Sequence, residues 1–147
     1  MMGAIGNYMT EHHRHCDALF ARAMDLAAAP DWDGVEREGG AFLREIERHI
    51  ELEETLLFPA FEEATGMTAG PTATMRSEHE EMRGLFAEMR RAAGTKDAAP
   101  YLEASRALQL LLQQHNVKEE SMMYPMLDHA LRDHAPDLVR QLEAAAA

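Results

Sequence analysis

Apolar residues recur along this chain at alternating spacings of four and three, the period of one face of an α-helix. In the first such segment, about Ala4 to Ala28, the stripe runs through Met9, His13, Cys16, Phe20, Ala23 and Ala27. A second begins near Asp33 and carries Phe42, Ile46, His49, Glu53, Leu56 and Ala60. The third, from near Thr72, shows Met75, His79, Met82, Phe86 and Met89. The fourth, about Tyr101 to Leu131, shows Leu108, Leu112, His115, Glu119, Met122 and Met126. Pro30 and Asp31, then Gly66 to Pro71, then Gly94 to Pro100 punctuate them. Pro136 opens a short tail helix, Asp137 to Ala147, whose alanine end is expected to fray. β-branched residues are scarce and no useful stretch alternates with period two. The pattern predicts an all-α fold, an up-down-up-down four-helix bundle with short loops and a short C-terminal helix. Residues 1–147 read as one domain, with its chemistry in 9–131.

The stripes are related to one another. His49 to Pro59 reads His-x-x-x-Glu-Glu-Thr-Leu-Leu-Phe-Pro, and His115 to Pro125 reads His-x-x-x-Glu-Glu-Ser-Met-Met-Tyr-Pro, at an offset of 66 residues. The same offset places Met9 on Met75, His13 on His79 and Phe20 on Phe86 without a gap. The bundle is therefore read as two pseudo-repeated helical hairpins. Pro59 and Pro125 each remove a backbone hydrogen bond inside a helix and crowd the carbonyl of Thr55 or Ser121, so a kink compensated by those hydroxyls is expected.

Composition narrows the function. The hydrophobic share of 46% and charged share of 27% are those of an ordinary globular chain. With 26 Asp+Glu against 14 Lys+Arg, nucleic acid and anionic membrane surfaces are excluded as partners, because both demand basic patches. The single Cys16 admits no internal disulfide and points to a reducing compartment. The first ten residues lack the basic flank and apolar core of a signal peptide. No apolar run approaches the roughly 20 residues that span a bilayer. A cytoplasmic protein, monomeric or a small homo-oligomer, is the expectation.

The candidate chemistry lies on the apolar stripes. Each of His13, His49, His79 and His115 falls on the inward face of its own helix, and Glu53 and Glu119 sit one turn after two of them. A lone histidine there is more often a hydrogen-bonded core residue than a ligand. Four of them with two buried carboxylates are different, since unpaired carboxylates in a core cost several kcal/mol and a cation relieves that cost. Imidazole and carboxylate without thiolate suit iron, manganese or zinc rather than an iron–sulfur cluster. Six side chains exceed one tetrahedral ion and match two ions bridged by carboxylates, with room for an exogenous ligand.

On His13, His49-x-x-x-Glu53, Glu78-His79 and His115-x-x-x-Glu119, the chain resembles the hemerythrin-like (HHE cation-binding) family from about Met9 to Leu131. The resemblance implies a four-helix bundle around two non-haem iron ions. His13, His49, His79 and His115 would be terminal ligands, and Glu53 and Glu119 would bridge the ions beside an oxo or hydroxo group. Oxygen-carrying members have one more third-helix histidine, where this chain has Met75, and a fourth-helix carboxylate at the place of Glu120. The internal repeat favours Glu119. The departure points away from simple oxygen carriage, toward members connected with nitric oxide, iron–sulfur repair, or iron and oxygen sensing. The expectation is binding of O2 or NO for sensing, storage or detoxification, a sensor needing a separate protein partner. The alternatives are a di-iron redox enzyme (peroxidase, oxidase or iron–sulfur repair), a non-catalytic metal store, or a bundle without metal. His12 is a candidate extra ligand or outer contact. Glu54 and Glu120 read as outer contacts or a solvated face, His15 flanks the first stripe, and His129 and His134 read as solvated or capping groups. Cys16 reads as small core, Trp32 as a staple for the second helix, and Met75, Met82, Met122 and Met126 as core or a route for gas.

Overall fold

The computed structural model describes residues 3–146, so the N-terminal Met1 and Met2 and the terminal Ala147, on which the leader and fraying readings partly fall, lie outside it. The described residues are helical without a strand. Helix α1 spans Ala4–Ala28, α2 spans 32–65, α3 Pro71–Gly94, α4 98–130 and α5 Ala135–Ala146. The first four run up, down, up and down as a bundle, and α5 packs against α1. Among the described residues no helix is long and apolar enough to cross a membrane.

Helix ends follow local chemistry. Pro30 cannot continue α1, and α2 opens on Asp31, whose carboxylate accepts the Gly34 N–H at 3.0 Å. Gly66 closes α2 at φ 73°, a left-handed conformation that costs glycine nothing. Pro71 occupies the first turn of α3, where its missing N–H is of no account. Helix α1 has no side-chain cap of its own. The Asp128 carboxylate of α4 accepts the N–H groups of Gly3 at 2.8 Å and Ile5 at 3.0 Å, capping α1 across the bundle.

Two apolar clusters fill the interior. One, toward the α1–α2 and α3–α4 turns, contains Phe20, Phe42, Phe86, Leu108 and Leu112, with the Phe20 and Phe42 rings stacked at 4.5 Å. Trp32 meets Tyr101 of this cluster edge-on at 6.2 Å. The other contains Ile5, Leu57, Phe61, Met75, Met123 and Leu127, with Leu138 and Leu142 of α5. Between α5 and the bundle a narrow cleft is lined by Tyr8, His12, Arg48, His49, Leu142 and Ala146.

Helices α2 and α4 are interrupted by five-residue π-helical turns at Glu53–Leu57 and Glu119–Met123. At the end of these turns the N–H of Phe58 reaches the Glu53 carbonyl and that of Tyr124 the Glu119 carbonyl, five residues back. Pro59 and Pro125 follow at once, and neither can donate to the carbonyl four residues earlier, so the ladder absorbs one extra residue there. The expected hydroxyl compensation is present: Thr55 bonds the Glu51 carbonyl at 2.7 Å, and Ser121 the Val117 carbonyl. The consequence corrects the stripes. Beyond each turn the inward face moves on by one residue, so Leu57, Phe61, Met123 and Leu127 are buried where Leu56, Ala60, Met122 and Met126 were expected. Met122 is 47% exposed and lines no interior route. A third π turn, Val35–Gly39, has no proline beside it and left no mark in the sequence pattern.

Candidate metal centre

Between the two clusters the bundle buries His13, His49, Glu53, His79, His115 and Glu119, each no more than 3% exposed. They converge into two overlapping groups of donor atoms. His13, His49, Glu53 and Glu119 form one, and Glu53, His79, His115 and Glu119 the other, with all atoms of a group within 4.8 Å of one another. Both carboxylates belong to both groups. Across them, His13 Nε2 lies 3.0 Å from Glu119 Oε1, His79 Nε2 3.1 Å from Glu53 Oε1, and His115 Nε2 3.3 Å from Glu119 Oε1. The groups are related by the internal repeat, α1 to α4 contributing one histidine each and the π turns at Glu53 and Glu119 one carboxylate each.

Each ring is held from behind. His13 Nδ1 meets Glu120 at 2.8 Å, His79 Nδ1 meets Glu54 at 2.8 Å, and His115 Nδ1 meets Glu78 at 2.7 Å. A carboxylate accepting the Nδ1–H leaves the Nε2 lone pair facing the centre, as metal binding requires. Arg83 and Lys118 in turn hold Glu54 and Glu78. His49 differs: its Nδ1 meets His12 Nδ1 at 2.9 Å, and His12 passes on to Glu45 at 3.1 Å. His12 is thus an outer contact of the cluster and stands outside both donor groups, as do Glu54 and Glu120. His129 and His134 are exposed, and Cys16 is buried core, its thiol pushed up to about 12 by burial.

One central side chain escaped the sequence reading. The Tyr124 hydroxyl, fully buried, donates toward Glu53 Oε2 at 2.7 Å and Glu119 Oε1 at 2.9 Å. Its counterpart in the first hairpin is Phe58, which stacks on His79 at 5.9 Å. The available signal was the phenylalanine-to-tyrosine change inside an otherwise matching repeat.

The charges are arranged as in a salt cluster. Burial opposes protonation of His13, His79 and His115, yet the nearby carboxylates overcome it and hold all three above the ordinary imidazole range, His115 at about 9. Burial would raise Glu53, but His49 first, with Glu119 and His79 close by, holds it well below the usual carboxylate value. Burial and the negative Glu119 and Glu53 push the Tyr124 phenol well above 10. Even so, Glu119 Oε2 is buried without a hydrogen-bond partner, and Glu53 Oε1 and His79 Nε2, 3.1 Å apart, make no aligned hydrogen bond. Orphaned donors on otherwise well-held ligand-type side chains fit a cation between them, because a cation uses lone pairs that no hydrogen reaches.

Comparison with known families matches residues 4–127 to the hemerythrin HHE cation binding domain. No curated protein and no solved structure matches the chain. Helix α5 lies beyond the matched residues.

Proposed function

The chain belongs to the hemerythrin HHE cation binding domain family, and from that premise we propose that it holds two non-haem iron ions and binds a small diatomic ligand, O2 or NO. The observation that carries this reading is the sharing of Glu53 and Glu119 by both buried donor groups, the arrangement of a carboxylate-bridged pair. Donors of nitrogen and oxygen without thiolate suit iron, manganese or zinc. Of these, iron when bound supplies one-electron chemistry and direct affinity for both gases.

The chain's own residues do the remaining work. Glu54, Glu78 and Glu120 fix the tautomer and orientation of three rings, and His12 does so for the fourth. The two apolar clusters keep bulk water away from both sides of the donors. Sensing, storage or detoxification of the gas is the role that follows. Metal content per chain, with a visible spectrum under nitrogen and then in air, tests the proposal. About two irons per chain, with a spectrum that changes on admitting air or NO, is the expected result. A fully folded protein that takes up no metal would refute it.

A further inference from the structure

We propose that Tyr124 is itself a metal ligand, a fifth protein donor to the ion position formed by His13, His49, Glu53 and Glu119. This inference rests on the two-ion reading above. Three observations carry it.

The first is spacing. Ligands bound at about 2.0–2.2 Å and at right angles on one ion lie about 3 Å from each other. Within this donor group His13 Nε2 is 3.1 Å from His49 Nε2 and 3.0 Å from Glu119 Oε1, and His49 Nε2 is 3.4 Å from Glu53 Oε2. The Tyr124 oxygen stands 2.7 Å from Glu53 Oε2, 2.9 Å from Glu119 Oε1, 3.0 Å from His13 Nε2 and 3.2 Å from His49 Nε2. One corner of an octahedron has four neighbouring corners at that separation, and the phenolic oxygen has four donors at it.

The second is hydrogen-bond accounting. A phenol has a single hydrogen, and ionised carboxylates only accept. One hydrogen therefore faces two carboxylate acceptors at close range, a mismatch that a cation among them removes. On coordination the phenolic O–H bond breaks, its proton leaves to solvent, and the oxygen keeps the electron pair it donates to the ion.

The third is the broken symmetry. The His79 and His115 position has Phe58 where the first has Tyr124, and phenylalanine offers no donor. The two positions are thereby unequal, with five protein donors against four.

The test is resonance Raman spectroscopy on the ferric, iron-loaded protein and on Tyr124→Phe. Phe58 shows that the fold accommodates phenylalanine at the equivalent place. Tyrosinate ring vibrations, enhanced under visible excitation in the parent and lost in Tyr124→Phe at an unchanged two irons per chain, are expected. Two irons without those vibrations in the parent would overturn the tyrosine ligand and leave the two-ion reading standing. Vibrations that persist in Tyr124→Phe would also overturn it. Failure to load any metal would overturn both.

Discussion

Strip this protein of metal with a chelator, raise the pH from 6.5 to 9, and it should lose about 3 kcal/mol of folding free energy or more. His115 contributes most visibly: its pKa rises from 6.5 to about 9 because Glu119 and Glu53 outweigh its burial. That difference corresponds to about 3 kcal/mol. A base with a raised folded-state pKa stabilises fully below its unfolded value, and the contribution disappears as pH climbs through the folded value. His13 and His79 are raised too and act in the same direction. Glu53, held low, contributes above the ordinary carboxylate range and is lost only in acid. His12, lowered by burial and by His49, matters only below 6.5. Metal-free protein should thus be most stable between about pH 4.5 and 6.5. For a chain of this size about 3 kcal/mol is about 10 °C in Tm. Urea titrations at pH 6.5, 7.5 and 9 with chelator present measure it. A midpoint that stays constant or rises over that range would show that the histidines are not held charged by the carboxylates. Loaded with metal, the protein should show the opposite slope of affinity, because ions compete with protons for the same Nε2 atoms.

His49→Ala should abolish metal binding at one position and lower the melting temperature, while His129→Ala changes neither; metal analysis and calorimetry separate them. Glu54→Ala releases the His79 ring and should weaken metal affinity by about 10–100-fold with the helices intact, read by competition with a chelator. Asp128→Ala uncaps α1 and should cost about 1–2 kcal/mol in urea unfolding without changing metal content. At Gly39 an added Cβ would stand 2.7 Å from the Tyr101 hydroxyl, so Gly39→Ala should cost about 1–3 kcal/mol. Most of that loss should be recovered in the Tyr101→Phe background, which also removes a buried hydroxyl without a partner.

The helix count, the up-down order and all six candidate ligands were legible because burial imposes a 3.6-residue period and the donors sit in phase with it. His13, His49, His79 and His115 could be read as one set only through the 66-residue repeat. The reading failed where that period fails. The π turns at Glu53 and Glu119 add one residue each, so the stripe extrapolated to Leu56 and Met122 falls on the wrong face. The same shift turns Tyr124 inward, and a regular α-helical wheel hides it. Pro59 and Pro125 marked the places but did not specify an inserted residue over a kink. The outer partners depend on side-chain reach between helices: Glu78 on α3 finds His115 on α4, a pairing that no spacing along one helix encodes.

The cleft under α5 gives this molecule a convenient optical handle. Ala146 lines it together with His12 and His49, so the end of a peripheral helix lies against a residue of one donor group and its outer partner. Cys16 is buried, with its thiol pushed to about 12, and so is poorly reactive. Ala146→Cys would therefore be the accessible thiol, open to selective labelling with a fluorophore. Emission from that position would be quenched when a paramagnetic ion fills the neighbouring group and restored when it leaves. The protein could then report its own metal occupancy in real time, without a coloured centre having to be observed directly.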